Sequence, residues 1–213
     1  MMLMCKNAIT YSVLSAEHAD EAAEVIARGF VDEPGLAAYV SAPQQRLEIW
    51  RRFVSLFKDE CASNGLSIMA VDNTSSQMVG CLYVRDYRSP LPVGITEGPC
   101  RAMKPLIGVL EVADKQYEAV RPHLQLGDCV DFWMGSVLCE HRRKGIANTL
   151  VEAGVQHMTA FSFKYIIGEC TGAYSARTLL KSGFVKRAGA LYRSCDYPAD
   201  VPAPTRASSF MRS

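Results

Sequence analysis

Residues 142–147, Arg142-Arg143-Lys144-Gly145-Ile146-Ala147, put three successive cations and a glycine between two apolar segments. Before them runs CVDFWMGSVL (129–138), and after them comes a helical stripe of Ala147, Leu150, Val151, Gly154, Val155 and Met158. A strand that leads into a helix start leaves several backbone N–H groups without intrahelical partners, and the positive end of the helix dipole adds to them. Such a corner holds anions, and Gly145 and Ala147 leave room for a bulky one. The segment reads as a pyrophosphate site, although the same residues would also make a solvated basic helix start. Neither G-x-x-x-x-G-K-S/T nor G-x-G-x-x-G occurs, which withdraws support from nucleotide hydrolysis and Rossmann-type hydride transfer.

A second candidate is the turn FVDEPGL (30–36). Pro34 disfavours helical geometry at Glu33 and so sets a carboxylate in a turn, with Asp32 beside it. Taken alone, the two acids can equally punctuate a surface turn. Eight cysteines, at 5, 61, 81, 100, 129, 139, 170 and 195, show no C-x-x-C pair, and no His cluster has zinc-ligand spacing. They read as reduced, buried thiols, and no metal is expected. Of the four histidines, His141 belongs to the rim of the basic loop, while His18, His123 and His157 have no constellation around them.

The elements that must position these residues follow from periodicity. ITYSVL (9–14) alternates like a strand, and Ala22, Val25, Ile26, Gly29 and Phe30 share a helical face. Leu47, Trp50, Val54, Phe57 and Cys61 mark a second helix after the D-E-P turn. LSIMAV (66–71) and MVGCLYVRDY (78–87), separated by DNTSSQ, read as a hairpin. A third helix spans Pro105 to Val120, the strand at 129–138 is the most apolar, and YIIGEC is another strand. YSARTLLKSG is a short helix ending at Gly183, and FVKRAGALY is a last strand or hairpin. Helices between strands imply crossovers and the hairpin implies an antiparallel half. The pattern therefore predicts an α/β (α+β) fold with a mixed sheet covered by helices.

Length and composition limit the function. A chain of 213 residues with 49% hydrophobic content suits one domain with a full core. Lys and Arg total 23 against 22 acids, so no global positive field draws in nucleic acid or an anionic membrane, and neither partner is expected. No apolar run approaches the roughly 20 residues of a membrane span, which makes a cytoplasmic protein the expectation. Residues 1–8 read as an N-terminal extension, 9–197 as the domain, and 198–213, rich in Pro, Ser and Ala, as a flexible tail.

RRKGIA fits the Gln/Arg-x-x-Gly-x-Gly/Ala signature of acetyl-CoA binding in the GNAT superfamily of N-acetyltransferases, and the order of elements matches as well. FVDEPGL, SVLCEHRRKGIANTLVEAG (136–154) and AYSARTLLKSGF (173–184) resemble the corresponding segments of arylalkylamine N-acetyltransferases of the insect, dopamine-acetylating type. The resemblance implies a single domain with a mostly antiparallel central sheet and acetyl-CoA as cosubstrate. Arg142 to Ala147 would hold its phosphates, and the backbone at Val137 and Leu138 would pair with the pantetheine arm. It also implies Glu33 as general base and Ser175 as part of the proton path, with Thr171 standing where the family has a second serine. A Tyr general acid, common in the superfamily, would fall on Leu179, which puts Ser175 forward to protonate the thiolate, though a helix N-cap would explain that serine equally well.

The need for a base stands without the resemblance. An alkylammonium titrates near pKa ~10, so only about one molecule in a thousand is a free nucleophile at neutral pH. The implied acceptor is a small arylalkylamine, with a polyamine, a protein N-terminus or a non-catalytic acyl-CoA sensor as alternatives. Phe30, Tyr39, Trp50 and Trp133 would either line an aromatic amine pocket or pack in the core.

Overall fold

The computed structural model describes residues 1–118, 123–190 and 207–212. Strands β1 (Met2–Lys6) and β2 (Ile9–Val13) form an antiparallel hairpin across Asn7 and Ala8, both at positive φ, as a two-residue turn requires. The segment expected to be an N-terminal extension is thus the edge of the sheet. Helix α1 (Ala19–Gly29) buries Ala22, Val25 and Ile26, the spacing that predicted it. The short α2 (Pro34–Ala37) starts at Glu33, and α3 (Pro43–Ser55) starts with Pro43 in its first turn. The second amphipathic helix expected from the sequence is two, α3 and α4 (Lys58–Ser63), whose apolar stripe carries across the break through the buried Phe57.

Strands β3 (Ile68–Asp72) and β4 (Gln77–Asp86) form the expected hairpin. Helix α5 (Lys104–Glu118) follows, then β5 (Cys129–Val137), α6 (Ile146–Met158), β6 (Tyr165–Cys170), α7 (Ala173–Lys181), β7 (Val185–Ala190) and β8 (Ala207–Arg212). The predicted end of the third helix at Val120, and Leu191 and Tyr192 of the last strand, lie outside the described residues.

Among the described residues, eight strands make one sheet in the order β1-β2-β3-β4-β5-β6-β8-β7, antiparallel except for the parallel pair β5–β6. Helices α1, α3, α4 and α5 cover one face around Trp50, Phe53 and Phe57, while α6 and α7 cover the other around Leu82, Phe132 and Leu150. Both faces are sealed in a single mixed α/β domain, as the order of elements required.

The tail corrects its expectation. Residues 207–212 form β8 between β6 and β7, with Ser209, Phe210 and Met211 1%, 2% and 6% exposed. A strand flanked on both sides satisfies its backbone through two ladders and needs no alternating pattern, so Ser and Ala did not announce it. The remainder of 198–213 lies outside the described residues. Among the described residues, no helix is long and apolar enough to cross a membrane, and no group of three His, Cys, Asp or Glu is placed to hold a metal ion.

Candidate active site

The parallel pair β5–β6 is short. Its register runs Cys129↔Tyr165, Val130↔Ile166 and Asp131↔Ile167, and beyond that the strands part. On its other side β5 pairs with β4 as far as Val137, with a bulge that leaves Trp133 between the partners of Tyr83 and Val84. A cavity of about 960 Å³ fills the gap, walled by Phe132 to Val137 on one side and Glu169 to Thr171 on the other. The wedge exposes strand backbone inside the protein, where an extended ligand can pair with it.

The wide end of the cavity meets the start of α6. Arg143 (φ 62) and Gly145 (φ 83) both take left-handed backbone there, and nothing lies within 4 Å of where a Cβ on Gly145 would sit. Glycine is required by the turn rather than by crowding. No side chain caps α6, so its first N–H groups, from Ile146 onward, remain available at a corner lined by Arg143, Gly145, Ile146, Ala147 and Asn148.

The three cations of the motif separate. Arg142 lines the cavity but is tied to the fold, donating from Nε to Val137 O at 3.0 Å and from Nη2 to Gly29 O at 2.7 Å. Arg143 faces the cavity. Lys144 lines a different cavity, of about 510 Å³, with Lys6, Tyr11 and Thr149. Of the backbone expected to pair with a pantetheine arm, Val137 lines the main cavity, whereas the N–H of Leu138 already donates to Val79 O at 2.9 Å.

Glu33 is 7% exposed, and its Oε2 accepts from Leu36 N at 2.8 Å, capping α2. It stands just behind the cavity wall. A Cβ on Gly35 would meet both Glu33 Oε2 and the cavity-lining Leu106 Cδ1 at 2.9 Å. Arg46 holds the turn, donating to Val31 O at 2.6 Å, Val40 O at 2.9 Å and Ser41 O at 2.7 Å. It also bonds Asp32, whose side chain is 69% exposed, so of the two acids only Glu33 turns inward.

Thr171 and Ser175 both line the cavity at its β6–α7 side. Ser175 is the third residue of α7, not its N-cap, which is Gly172; its Oγ donates to Gly172 O at 2.9 Å. Burial pushes the neighbouring Cys170 thiol up to about 12, and a hydrogen bond with Ser175 opposes that shift. Leu179, where a Tyr acid would stand, is buried at 6% exposure. Of the aromatic candidates, Phe30, Trp50 and Trp133 line the cavity and Tyr39 packs against the core instead.

Three charged lining residues were not singled out from the sequence. Glu169 is the lone charge in the apolar strand YIIGEC, and Arg177 and Lys181 are spaced four apart on α7, so both signals were present. Cys139 is exposed, as is Cys5, which corrects the expectation that the cysteines are buried; Cys195 lies outside the described residues.

No protein-family model matches the chain, and no curated protein matches it in sequence. Solved structures do match. Arylalkylamine N-acetyltransferase 2 from Aedes aegypti superposes with a TM-score of 0.69 at 18% identity, covering 97% of this chain and 99% of that one. The C-terminal condensation domain of Ebony, in complex with beta-alanyl-dopamine, gives 0.73 at 15% identity over 98% and 99%. Drosophila melanogaster polyamine N-acetyltransferase gives 0.63 at 15% identity over 96% and 99%. The chain has the fold of the GNAT N-acetyltransferases.

Proposed function

We propose that this protein is an N-acetyltransferase that moves the acetyl group of acetyl-CoA directly to a small primary amine, with arylalkylamines the first acceptor class to test. The observation that carries the reading is the cavity itself. It runs from the uncapped start of α6, suited to phosphate, along the parted strands β5 and β6 to an end walled by Phe30, Trp50 and Trp133. One continuous space thus offers an anion corner, exposed backbone for an extended arm, and aromatic surface for an acceptor.

In this reading Arg143 and the N–H groups after Gly145, at Ile146 and Ala147, hold the pyrophosphate, and the backbone of Val137 pairs with the pantetheine arm. Arg142 keeps the corner in shape, and Lys144 and Leu138 stay outside the contact. Glu33 takes the ammonium proton through water, since it stands behind the cavity lining beside Leu106 rather than in it. The freed amine attacks the thioester carbonyl carbon, a tetrahedral intermediate forms, and the C–S bond breaks to release CoA thiolate. Ser175, with Thr171 beside it, relays the second proton of the attacking nitrogen to that sulfur, which leaves the neutral amide and CoASH.

The test is acetyl transfer from acetyl-CoA, read by mass spectrometry, across tryptamine, tyramine, dopamine, a polyamine and a short peptide. Turnover of aromatic amines that is lost in Glu33→Gln supports both reaction and base. Turnover of the peptide alone would sink the small-amine reading, and tight CoA binding without turnover would favour an acyl-CoA sensor.

A further inference from the structure

Helix α7 turns one stripe into the main cavity. Tyr174, Arg177, Thr178 and Lys181 line it at helical spacing, so they stand on one face of the helix. Helix α6, which packs beside α7, lines the same space with Ala147, Asn148 and Val151. The cavity therefore continues past the anion corner at Gly145 into the groove between the two helices.

The charge in that groove is of one sign. Arg142, Arg143, Arg177 and Lys181 line the cavity against a single carboxylate, Glu169. A Cβ on Gly168 would meet Leu179 Cδ1 of α7 at 2.8 Å, so the next residue of β6, Glu169, faces the opposite side of the sheet from α7. Residues 170–190 hold no acid at all. Neither Arg177 nor Lys181 forms an ion pair or a side-chain hydrogen bond among the described residues. Arg142 is occupied with Val137 O and Gly29 O, and Arg143 faces the corner at Gly145. Arg177 and Lys181 are thus a pair about one helical turn apart for which the pyrophosphate supplies no partner. Tyr174, on the same stripe, is 85% exposed, so its ring is uncovered.

We infer that Tyr174, Arg177 and Lys181 form a subsite for the 3′-phosphoadenosine end of the acyl donor, so that the protein selects free coenzyme A thioesters over donors that lack the 3′-phosphate. The inference rests on the acetyl-transfer reading and deepens it. Coenzyme A carries two separate anionic groups, a pyrophosphate and a phosphomonoester of about −1.5 to −2 charge at neutral pH. The uncapped start of α6 with Arg143 meets the first, and a guanidinium and an ammonium four residues apart meet the second. The uncovered tyrosine ring gives the adenine a face to stack on. A phosphopantetheine arm tethered to a carrier protein has neither adenine nor 3′-phosphate, and it would leave the α7 stripe unused.

The test measures calorimetric binding of coenzyme A and of dephospho-coenzyme A, which ends in a 3′-hydroxyl, to the full chain. The wild type is expected to bind coenzyme A at least tenfold tighter, with a ratio that shrinks as salt is raised. Arg177→Ala combined with Lys181→Ala should bring the ratio within about twofold, whereas Arg177→Lys combined with Lys181→Arg should keep most of it, with melting curves confirming that the variants fold. Tyr174→Ala should weaken both ligands by a similar factor, because both keep the adenine. Equal binding by the wild type, a ratio that survives the double alanine variant, or a ratio lost in Lys144→Ala instead overturns the subsite and leaves the transfer reading standing. A ratio that depends on Arg177 and Lys181, without turnover of any amine, upholds the subsite while the transfer reading falls. Failure to bind either ligand overturns both.

Discussion

The Cβ that Gly29 lacks would lie 1.6 Å from Ser136 Oγ, and that Oγ donates to Val25 O at 3.1 Å. The last turn of α1 is thereby laid directly on β5 at the cavity wall, where Gly29 O also receives Arg142. Gly29→Ala should force the helix off the strand at a cost of about 1–3 kcal/mol, seen as a melting temperature lower by roughly 2–4 °C per kcal/mol. Adding Ser136→Gly should recover most of the loss, because the next atom, Ser136 Cα, is 3.7 Å away. No recovery in the double variant would mean that the contact is not what limits the packing.

Glu33→Gln keeps an oxygen that can accept from Leu36 N, so the cap on α2 should survive while the proton acceptor is lost. Transfer should fall about 10²–10⁴-fold with CoA affinity within twofold of wild type. Glu33→Ala should also lose about 1 kcal/mol of stability with the cap. Full activity in the Gln variant would place the base elsewhere.

The cations of the motif should behave differently, because they face different spaces. Arg143→Ala is expected to weaken CoA binding about tenfold, roughly 1.4 kcal/mol, whereas Lys144→Ala should change it less than twofold. Gly145→Ala should cost about 1–2 kcal/mol, since φ 83 is strained for any residue with a Cβ. Equal losses from the two cation variants would contradict the separation.

Asp131 gives stability a pH dependence of predictable sign. Its pKa rises from 3.8 to about 7 through burial, opposed by Arg85 and reinforced by Asp114, so between those values the folded state binds a proton that the unfolded state has lost. Its contribution is fully present below about pH 4 and lost as pH rises through about 7, on the order of 2–4 kcal/mol at 1.36 kcal/mol per unit. Asp131→Asn should therefore melt higher than wild type at pH 8, and the gap should narrow as pH falls and close near pH 4. A gap independent of pH would show that the side chain stays in one protonation state.

Cys139 and Cys5 are exposed while Cys61, Cys81, Cys100, Cys129 and Cys170 are buried, and only Cys139 of the exposed pair lines the main cavity. Burial pushes the Cys61 and Cys170 thiols up to about 12, which removes the reactive thiolate at neutral pH. Iodoacetamide followed by peptide mass mapping should label Cys5 and Cys139 first among these seven, and CoA should slow Cys139 alone. Equal protection of Cys5 would mean that CoA acts on the whole fold.

Most elements were legible because their signals are local. Ala22, Val25 and Ile26 repeat at helical spacing on α1, and the D-E-P turn puts Glu33 at a helix start through the geometry of Pro34. Strand β8 was not legible. Its sequence ASSFMR lacks alternation, and its place depends on two ladders, to β6 and to β7. Glu169 was visible as a lone charge in an apolar strand, but its pairing with Ser209 depends on β8, which no local pattern announces.

By itself the sequence determined the left-handed turn at Gly145 before a helix, the D-E-P turn that carries Asp32 and Glu33, and the order of helices and strands, because each follows from backbone preference or from periodicity within a few residues. Only the tertiary structure decided that β5 and β6 part after Asp131, that Arg142 ties α1 to β5 while Arg143 faces the cavity, and that Asp131 is set beside Ile167 of β6. Those outcomes rest on contacts between distant segments, such as Arg142 with Gly29 across 113 positions, and no local pattern encodes which partner a side chain will find.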